Sequence, residues 1–362
     1  MKTVKVGIIG CGNIANKKHM SSLSKISGCE MVAFCDIVEE RALAAAEKFG
    51  IEGSRVYQDY KELLANEPDI DVIHVCTPNR QHSFITVAAL EAGKHVMCEK
   101  PMAINTAEAE KMLEASRRTG KLLTIGYQSR FRDDAMYLKE EAEADTFGEI
   151  YYAKATALRR RGVPNWGVFL NEEEQGGGPL IDIGTHALDL TLWLMNNHKP
   201  KYCVGSVYHK LNGDTDQGNA YGSWDPEKFT VEDSAFGFVV MENGATIVLE
   251  SSWAINMLDT REAVSTLCGT KAGCDMVDGV RINGVKGDRQ YVITPDLKAA
   301  GKAKELFHTE FSGEREIRSW IETVKNGGEL NINSTPEEAL CITKILEGIY
   351  ESAKTGTVYN FK

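Results

Sequence analysis

The apolar run Val4–Ile9 ends directly in Gly10-Cys11-Gly12-Asn13-Ile14-Ala15, and no other stretch of the chain narrows the choice of fold as much. A buried-strand run that passes straight into G-x-G-x-x-A predicts a strand, a tight turn and a helix. The first glycine permits the turn, the second lets backbone N–H groups approach a pyrophosphate, and the small Ala15 lets helix and strand pack closely. The next hundred residues keep that rhythm. Apolar runs at Met31–Cys35, Val72–Cys76, His95–Cys98 and Leu122–Ile125 alternate with amphipathic stretches at Glu39–Phe49, Tyr60–Asn66, Ser83–Ala92 and Thr106–Thr119, the last capped by Asn105 or Thr106. Such alternation predicts a doubly wound parallel sheet over residues 1–125, with ligands held at the carboxyl ends of its strands.

That arrangement is an α/β Rossmann dinucleotide-binding domain, and its second strand ends at Asp36, 24 residues past Gly12. A carboxylate there accepts hydrogen bonds from the adenosine ribose hydroxyls and repels a 2′-phosphate, so NAD is favoured over NADP. Ile37 and Val38 add no positive charge, although Arg41 stands one turn along. The expected cofactor contacts are Gly10, Gly12, Asn13, Ile14 and Asp36, with Thr77 and Asn79 after the third apolar run.

After residue 125 the pattern changes. Strand-like segments Ile150–Thr156, Cys203–Val207, Ser234–Val240, Thr246–Trp253 and Ala263–Cys268 follow one strong helix, Gly178–Met195, and residues 208–230 read as a long polar loop. Successive strands with short turns predict an α+β domain with a mostly antiparallel open sheet over residues 126–362. Its last helix, opened by Ser334-Thr335-Pro336-Glu337-Glu338, is expected over about 335–353 and to pack back on the first domain. The net charge of −11 arises wholly in this half, since residues 1–125 carry 16 basic and 16 acidic side chains. Affinity for phosphate backbones comes from clustered positive charge, so with this acidic balance nucleic acid is not an expected partner. No apolar stretch approaches the ~20 residues that span a bilayer, and Val6–Ile9 is too short for a secretory core, so a cytoplasmic protein without membrane contact is expected. The nine cysteines form no C-x-x-C pair and read as reduced.

Two further motifs carry chemistry. Cys98-Glu99-Lys100-Pro101 closes the fourth apolar run, and Gly176-Gly177-Gly178-Pro179-Leu180-Ile181-Asp182-Ile183-Gly184-Thr185-His186-Ala187-Leu188-Asp189 enters the strong helix. Oxidation of a secondary alcohol by NAD requires a proton acceptor and a donor to the reacting oxygen. Lys100 at a strand end can serve as one and His186 as the other. Asp182 and His186 are i and i+4, so they share a helix face that Asp189 extends. We assign His186 as general base, Asp182 as its orienter and a substrate ligand, and Lys100 as partner of the reacting oxygen; the roles of Lys100 and His186 can be exchanged. No third ligand accompanies the Asp/His pair, so no metal is expected.

Together with the glycine loop, these motifs resemble the Gfo/Idh/MocA family of NAD(P)-dependent sugar and polyol oxidoreductases along essentially the whole chain. The resemblance implies a nicotinamide site that includes Glu99 and Lys100, substrate contacts from Lys100, Arg159, Trp166, Asp182 and His186, and assembly into a homo-oligomer through the antiparallel sheet; Gln128 and Arg130, just after the fifth apolar run, are expected at the same cleft, Gln128 toward the cofactor and Arg130 toward the substrate. Arg159-Arg160-Arg161-Gly162 with Trp166-Gly167-Val168-Phe169 looks like a branch that oxidises the C3 hydroxyl of a glucosyl group. Trp166 then stacks on a sugar or shields the nicotinamide. Two other functions share these features: a redox-assisted glycoside hydrolase or lyase that recycles its NAD, and a non-catalytic NAD-sensing regulatory protein, which has no need of Lys100, Asp182 and His186 together.

Overall fold

The computed structural model describes residues 3–297 and 311–361. Residues 3–131 with 311–340 form one compact unit, and residues 132–297 with 341–361 form another. No helix among the described residues is long and apolar enough to cross a membrane.

The first unit is built on a six-stranded sheet of order β3-β2-β1-β4-β5-β6, with β1 Val4–Ile9, β2 Cys29–Cys35, β3 Arg55–Tyr57, β4 Val72–Val75, β5 His95–Cys98 and β6 Leu123–Ile125. All its pairings are parallel, so it is the doubly wound sheet that the alternating pattern predicts. The order reverses beside β1, which places the glycine loop at the switch point. The edge strand β3 is additional to the predicted strands. It has three residues, none fully buried, and so lacks the apolar signature of its neighbours.

The helix Ser312–Asn326 also belongs to this unit, although the sequence placed it in the second domain. Its Ile317, Trp320 and Ile321 join Val6, Ile8, Met20, Leu23 and Met97 in one buried cluster. The start of the helix Pro336–Thr355 lies in the first unit as well. Thr335 Oγ1 accepts from the Glu338 N–H at 3.2 Å while Glu338 Oε2 accepts from the Thr335 N–H at 2.9 Å, a reciprocal capping box.

The second unit holds a nine-stranded sheet of order β14-β13-β12-β11-β7-β10-β9-β8-β15. Its strands are β7 Ile150–Leu158, β8 Pro200–Tyr208, β9 Ser234–Met241, β10 Thr246–Ser252, β11 Val264–Gly269, β12 Ala272–Asp275, β13 Arg281–Lys286, β14 Arg289–Ile293 and β15 Tyr359–Asn360. Only β7 and β10 run parallel, so the sheet is mostly antiparallel as predicted. The strands β12 to β15 are additional; they are short, and β13 and β14 are largely exposed, so apolar alternation is weak. A Cβ at Gly205 or Gly237 would meet Ile349 at 2.6 or 2.4 Å, which is how the later turns of Pro336–Thr355 lie close on β8 and β9. The helix Asp133–Glu143 was not predicted either.

Trp320 is fully buried in the first unit's core. Trp320→Ala should therefore destabilise the protein by about 3–5 kcal/mol, read as a lowered denaturant midpoint.

Candidate functional site

In the first unit the glycine loop has the shape its sequence requires. Gly10 has φ +90°, and a Cβ there would meet the Cys76 carbonyl carbon and oxygen at 2.7 Å and the Thr77 nitrogen at 2.9 Å. No side chain fits that position. At Gly12, by contrast, a Cβ would meet nothing within 4 Å, so the backbone faces open space where the helix begins. Asp36 is buried beside the loop, its Oδ2 accepting from the Cys11 N–H at 2.8 Å and its Oδ1 from the Val38 N–H at 2.9 Å. Each oxygen keeps a lone pair for a ribose hydroxyl. Asn13 and Ile14 are exposed at the helix start, and Ile37 and Val38 are exposed beyond Asp36. Thr77 Oγ1 is buried with no hydrogen-bond partner among the described residues. Open space over Gly12, an orphaned hydroxyl at the end of β4 and a carboxylate at the end of β2 fit a dinucleotide.

Glu99 has a different setting from the one expected. Its side chain is buried among protein partners: Oε1 accepts from Lys18 Nζ at 2.7 Å and lies 2.8 Å from His19 Nε2, and Oε2 accepts from the Lys100 N–H at 3.2 Å. Lys18 Nζ also lies 2.8 Å from Glu316 Oε2. Burial raises the Glu99 carboxyl, but Lys18 and His19 outweigh it and hold the group well below the usual carboxylate range. His19 Nδ1 in turn lies 2.7 Å from His74 Nδ1. The carboxylate requires a proton on His19 Nε2, so a neutral His19 accepts at Nδ1 and His74 donates from Nδ1. That leaves His74 Nε2 without a proton, in agreement with its lack of a partner and with burial pushing both histidines downward. Lys18 and His19 were not singled out from the sequence, because their partners lie 55 residues or more away.

Lys100 is partly buried at the end of β5, in a cis peptide bond with Pro101. His82 ties this segment to the end of β4, with Nδ1 2.7 Å from the Pro101 carbonyl and Nε2 2.9 Å from the Thr77 carbonyl. Asn79 opens the turn Asn79–Gln81, and Gln128 opens the turn Gln128–Phe131. Arg130, expected at the substrate, is corrected: it is fully buried, its Nη1 donating to Glu338 Oε2 at 3.1 Å and to the Ile332 carbonyl at 3.4 Å. Its guanidinium fastens the start of the last helix.

In the second unit Asp182 lies on a wide helical turn, Leu180–Gly184, which continues as the regular helix Thr185–Met195 with His186 in its first turn. Wide turns of this kind are frequent at functional sites. Asp182 is buried, and its Oδ2 accepts from the indole N–H of Trp253 at 3.0 Å. His186 is partly exposed, whereas Asp189 is fully buried. Glu232 secures the start of the turn: its Oε2 accepts from the Gly178 N–H at 2.7 Å, and its Oε1 from the Leu180 N–H at 3.1 Å and the Tyr350 hydroxyl at 2.9 Å. A Cβ on Gly178 would meet the Glu232 carbonyl oxygen at 2.2 Å. Neither Trp253 nor Glu232 belongs to a motif, so sequence reasoning passed over both. The triple arginine does not converge. Arg159 forks onto Glu262 through two 2.6 Å bonds, Arg161 binds Asn256 at 2.7 Å, and Arg160 is exposed. Trp166 is 46% exposed.

The profile of a family described as an oxidoreductase family with an NAD-binding Rossmann fold, Gfo/Idh/MocA, matches residues 4–127, and that of its C-terminal domain matches residues 135–273. The chain is 37% identical over 355 residues to a D-glucoside 3-dehydrogenase of Escherichia coli, covering 98% of this chain and 96% of that one. It is 32% identical over 195 residues to an inositol 2-dehydrogenase of Salmonella typhimurium, covering 54% and 55%. Among solved structures, an aldose-aldose oxidoreductase from Caulobacter crescentus has a TM-score of 0.79 at 23% identity, covering 99% of this chain and 100% of that one. A levoglucosan dehydrogenase in complex with NADH has a TM-score of 0.83 at 20% identity, with both chains fully covered. At those identities the structures establish the fold alone.

Burial pushes the Glu232 carboxyl up from 4.5 to about 7, against the hydrogen bonds from Gly178, Leu180 and Tyr350. With the folded value above the unfolded one, the unfolded chain releases its proton first as pH rises. The contribution is fully present below pH 4.5 and is lost toward pH 7, a slope of up to about 1.4 kcal/mol per pH unit. Glu232→Gln should flatten that slope in unfolding titrations between pH 5 and 7.

Proposed function

Because the chain belongs to the Gfo/Idh/MocA family of oxidoreductases, we propose that it oxidises the C3 hydroxyl of a glucosyl group in a glycoside to a 3-keto sugar. At the broader level the protein is an NAD-dependent oxidoreductase of sugars and polyols. The observation that carries the narrower reading is the 37% identity to a D-glucoside 3-dehydrogenase along 98% of the chain.

Gly10, Gly12, Asn13 and Ile14 would hold the pyrophosphate, Asp36 the adenosine ribose, and Thr77, Asn79, Lys100 and Gln128 the nicotinamide half. When bound, NAD accepts the hydride. The remaining work falls to the protein's own groups. His186 takes the proton of the reacting hydroxyl at an imidazole nitrogen, and Lys100 Nζ donates a hydrogen bond to the same oxygen. Asp182, its Oδ2 held by Trp253, orients His186 and the sugar. Glu99 Oε2 accepts from the Lys100 backbone N–H and so holds the residue in place. The charge of Lys100 favours the alkoxide as the proton leaves, so base and electrophile act on one oxygen.

The outward face of the second sheet supports assembly into a homo-oligomer. Val204 and Phe238 are paired across β8 and β9 and are 43% and 47% exposed. Contiguous exposed apolar side chains of this kind mark an association surface. Phe238→Glu should lower the subunit number measured by light scattering.

Incubating the protein with NAD and a panel of glucosides, free hexoses and inositols should give a 3-keto glucoside and one NADH per product, identified by NMR. Oxidation at another carbon overturns the C3 assignment. Turnover of glycoside without NADH release instead supports a recycled cofactor. Lys100→Ala and His186→Ala should each lower kcat by about 10²–10⁴ while NAD still binds; unchanged turnover overturns their roles.

A further inference from the structure

The second unit leaves two aromatic rings in solvent where it had the means to bury them. Trp166 and Tyr221 are 46% and 48% exposed, stand edge to face with centroids 5.0 Å apart, and are joined by Phe169 at 5.8 Å from Trp166. The same loops bury Trp224 and Phe229, which meet edge to face at 5.9 Å, with Phe229 in turn against Trp253 at 6.3 Å.

The exposed pair rests on a stitched frame. Val163 N–H donates to Asn219 Oδ1 at 2.9 Å, and Asn219 Nδ2 donates back to the Val163 carbonyl at 2.9 Å and to the Gly222 carbonyl at 2.7 Å. Asn165 Nδ2 donates to the carbonyls of Tyr221 and Ser223 at 2.8 and 2.9 Å. The Ala220 N–H donates to the Arg161 carbonyl at 3.2 Å. Two loops remote in sequence are thus held together by side-chain amides, with their rings pointing out. This frame adjoins the reactive helix: the Gly162 N–H, next to Val163, donates to the Trp253 carbonyl at 2.8 Å, and the Trp253 indole N–H donates to Asp182 at 3.0 Å. Beside it opens a cavity of about 470 Å³ lined by Arg160, Arg161, Asp216, Gln217, Gly218 and Asn256, whose donors and acceptors suit hydroxyl groups.

We propose that Trp166 and Tyr221 form a platform for the aglycone of a glycoside, taking a ring with a flat apolar face, either an aryl group or a second pyranose. The proposal rests on the glycoside reading given above. A hexosyl group beside Asp182 leaves its anomeric substituent to be bound elsewhere, and a ring pair with an adjoining polar cavity is the chemistry that binds such a ring by its face and its hydroxyl edge. A methyl aglycone is too small to cover the rings.

The test compares methyl β-D-glucoside, phenyl β-D-glucoside and cellobiose as substrates of the full-length protein with NAD. In Trp166→Ala and Tyr221→Ala the kcat/KM for phenyl glucoside or cellobiose, divided by that for methyl glucoside, should fall about tenfold, mainly through KM. Tyr221→Phe, which keeps the ring, should restore the ratio. A loss confined to phenyl glucoside identifies the aryl ligand, and a loss confined to cellobiose the pyranose. Equal losses on all three substrates, no loss on any, or a changed subunit number in the variants overturns the platform. A wild-type protein that oxidises none of the three overturns the glycoside reading itself.

Discussion

The first unit depends on a buried ammonium. Lys18 is nearly inaccessible, yet Glu99 and Glu316 hold its charge above the ordinary lysine range against the opposing effect of burial. Withdrawing one ammonium and two carboxylates from water is expensive, and the attraction between them compensates only when the geometry is tight. Here a helix after the glycine loop, a strand end and the helix Ser312–Asn326 supply one group each. Residues almost three hundred positions apart must therefore meet correctly before the charges are satisfied. Loss of one partner leaves a buried charge unbalanced, so the network specifies the arrangement of the elements more than it stabilises them.

The same network explains how Glu99-Lys100-Pro101 can be both a sequence motif and a structural joint. The glutamate turns inward to Lys18 and His19, and the lysine follows it at the strand end. The family resemblance implied a nicotinamide contact for Glu99, whose carboxylate is instead engaged by Lys18 and His19. Alternation along an extended segment sends neighbouring side chains to opposite sides, and the partners that decide which side is inner are remote in sequence.

How much was legible follows from how far each signal reaches. The strands β1, β2, β4, β5 and β6 were readable because each is an apolar run in a buried parallel sheet. Strands without such a run, β3 and β12 to β15, left no trace. Arg130 looked like a cleft residue from its place after β6, but its actual partners, Glu338 and the Ile332 carbonyl, lie about two hundred residues downstream. Trp253 and Glu232, which hold Asp182 and the turn that carries it, are likewise contacts that only the folded sheet creates. Local spacing picks out the candidate side chains; it cannot predict what holds them.

His82 shows how that support constrains chemistry. Its two ring nitrogens face the carbonyls of Thr77 and Pro101, which both accept, while a neutral imidazole has a single N–H to donate. Burial outweighs the two carbonyls and lowers the ring's pKa, and Lys100 acts in the same direction against Glu99. With the ring neutral, one contact is a hydrogen bond and the other brings a lone pair to a carbonyl oxygen. The proton resides with whichever loop needs it more, and the buried Thr77 hydroxyl is left unpaired beside it. The ends of β4 and β5 thus share one donor. Lys100, one peptide bond before Pro101, stands next to the β5 end of that shared contact.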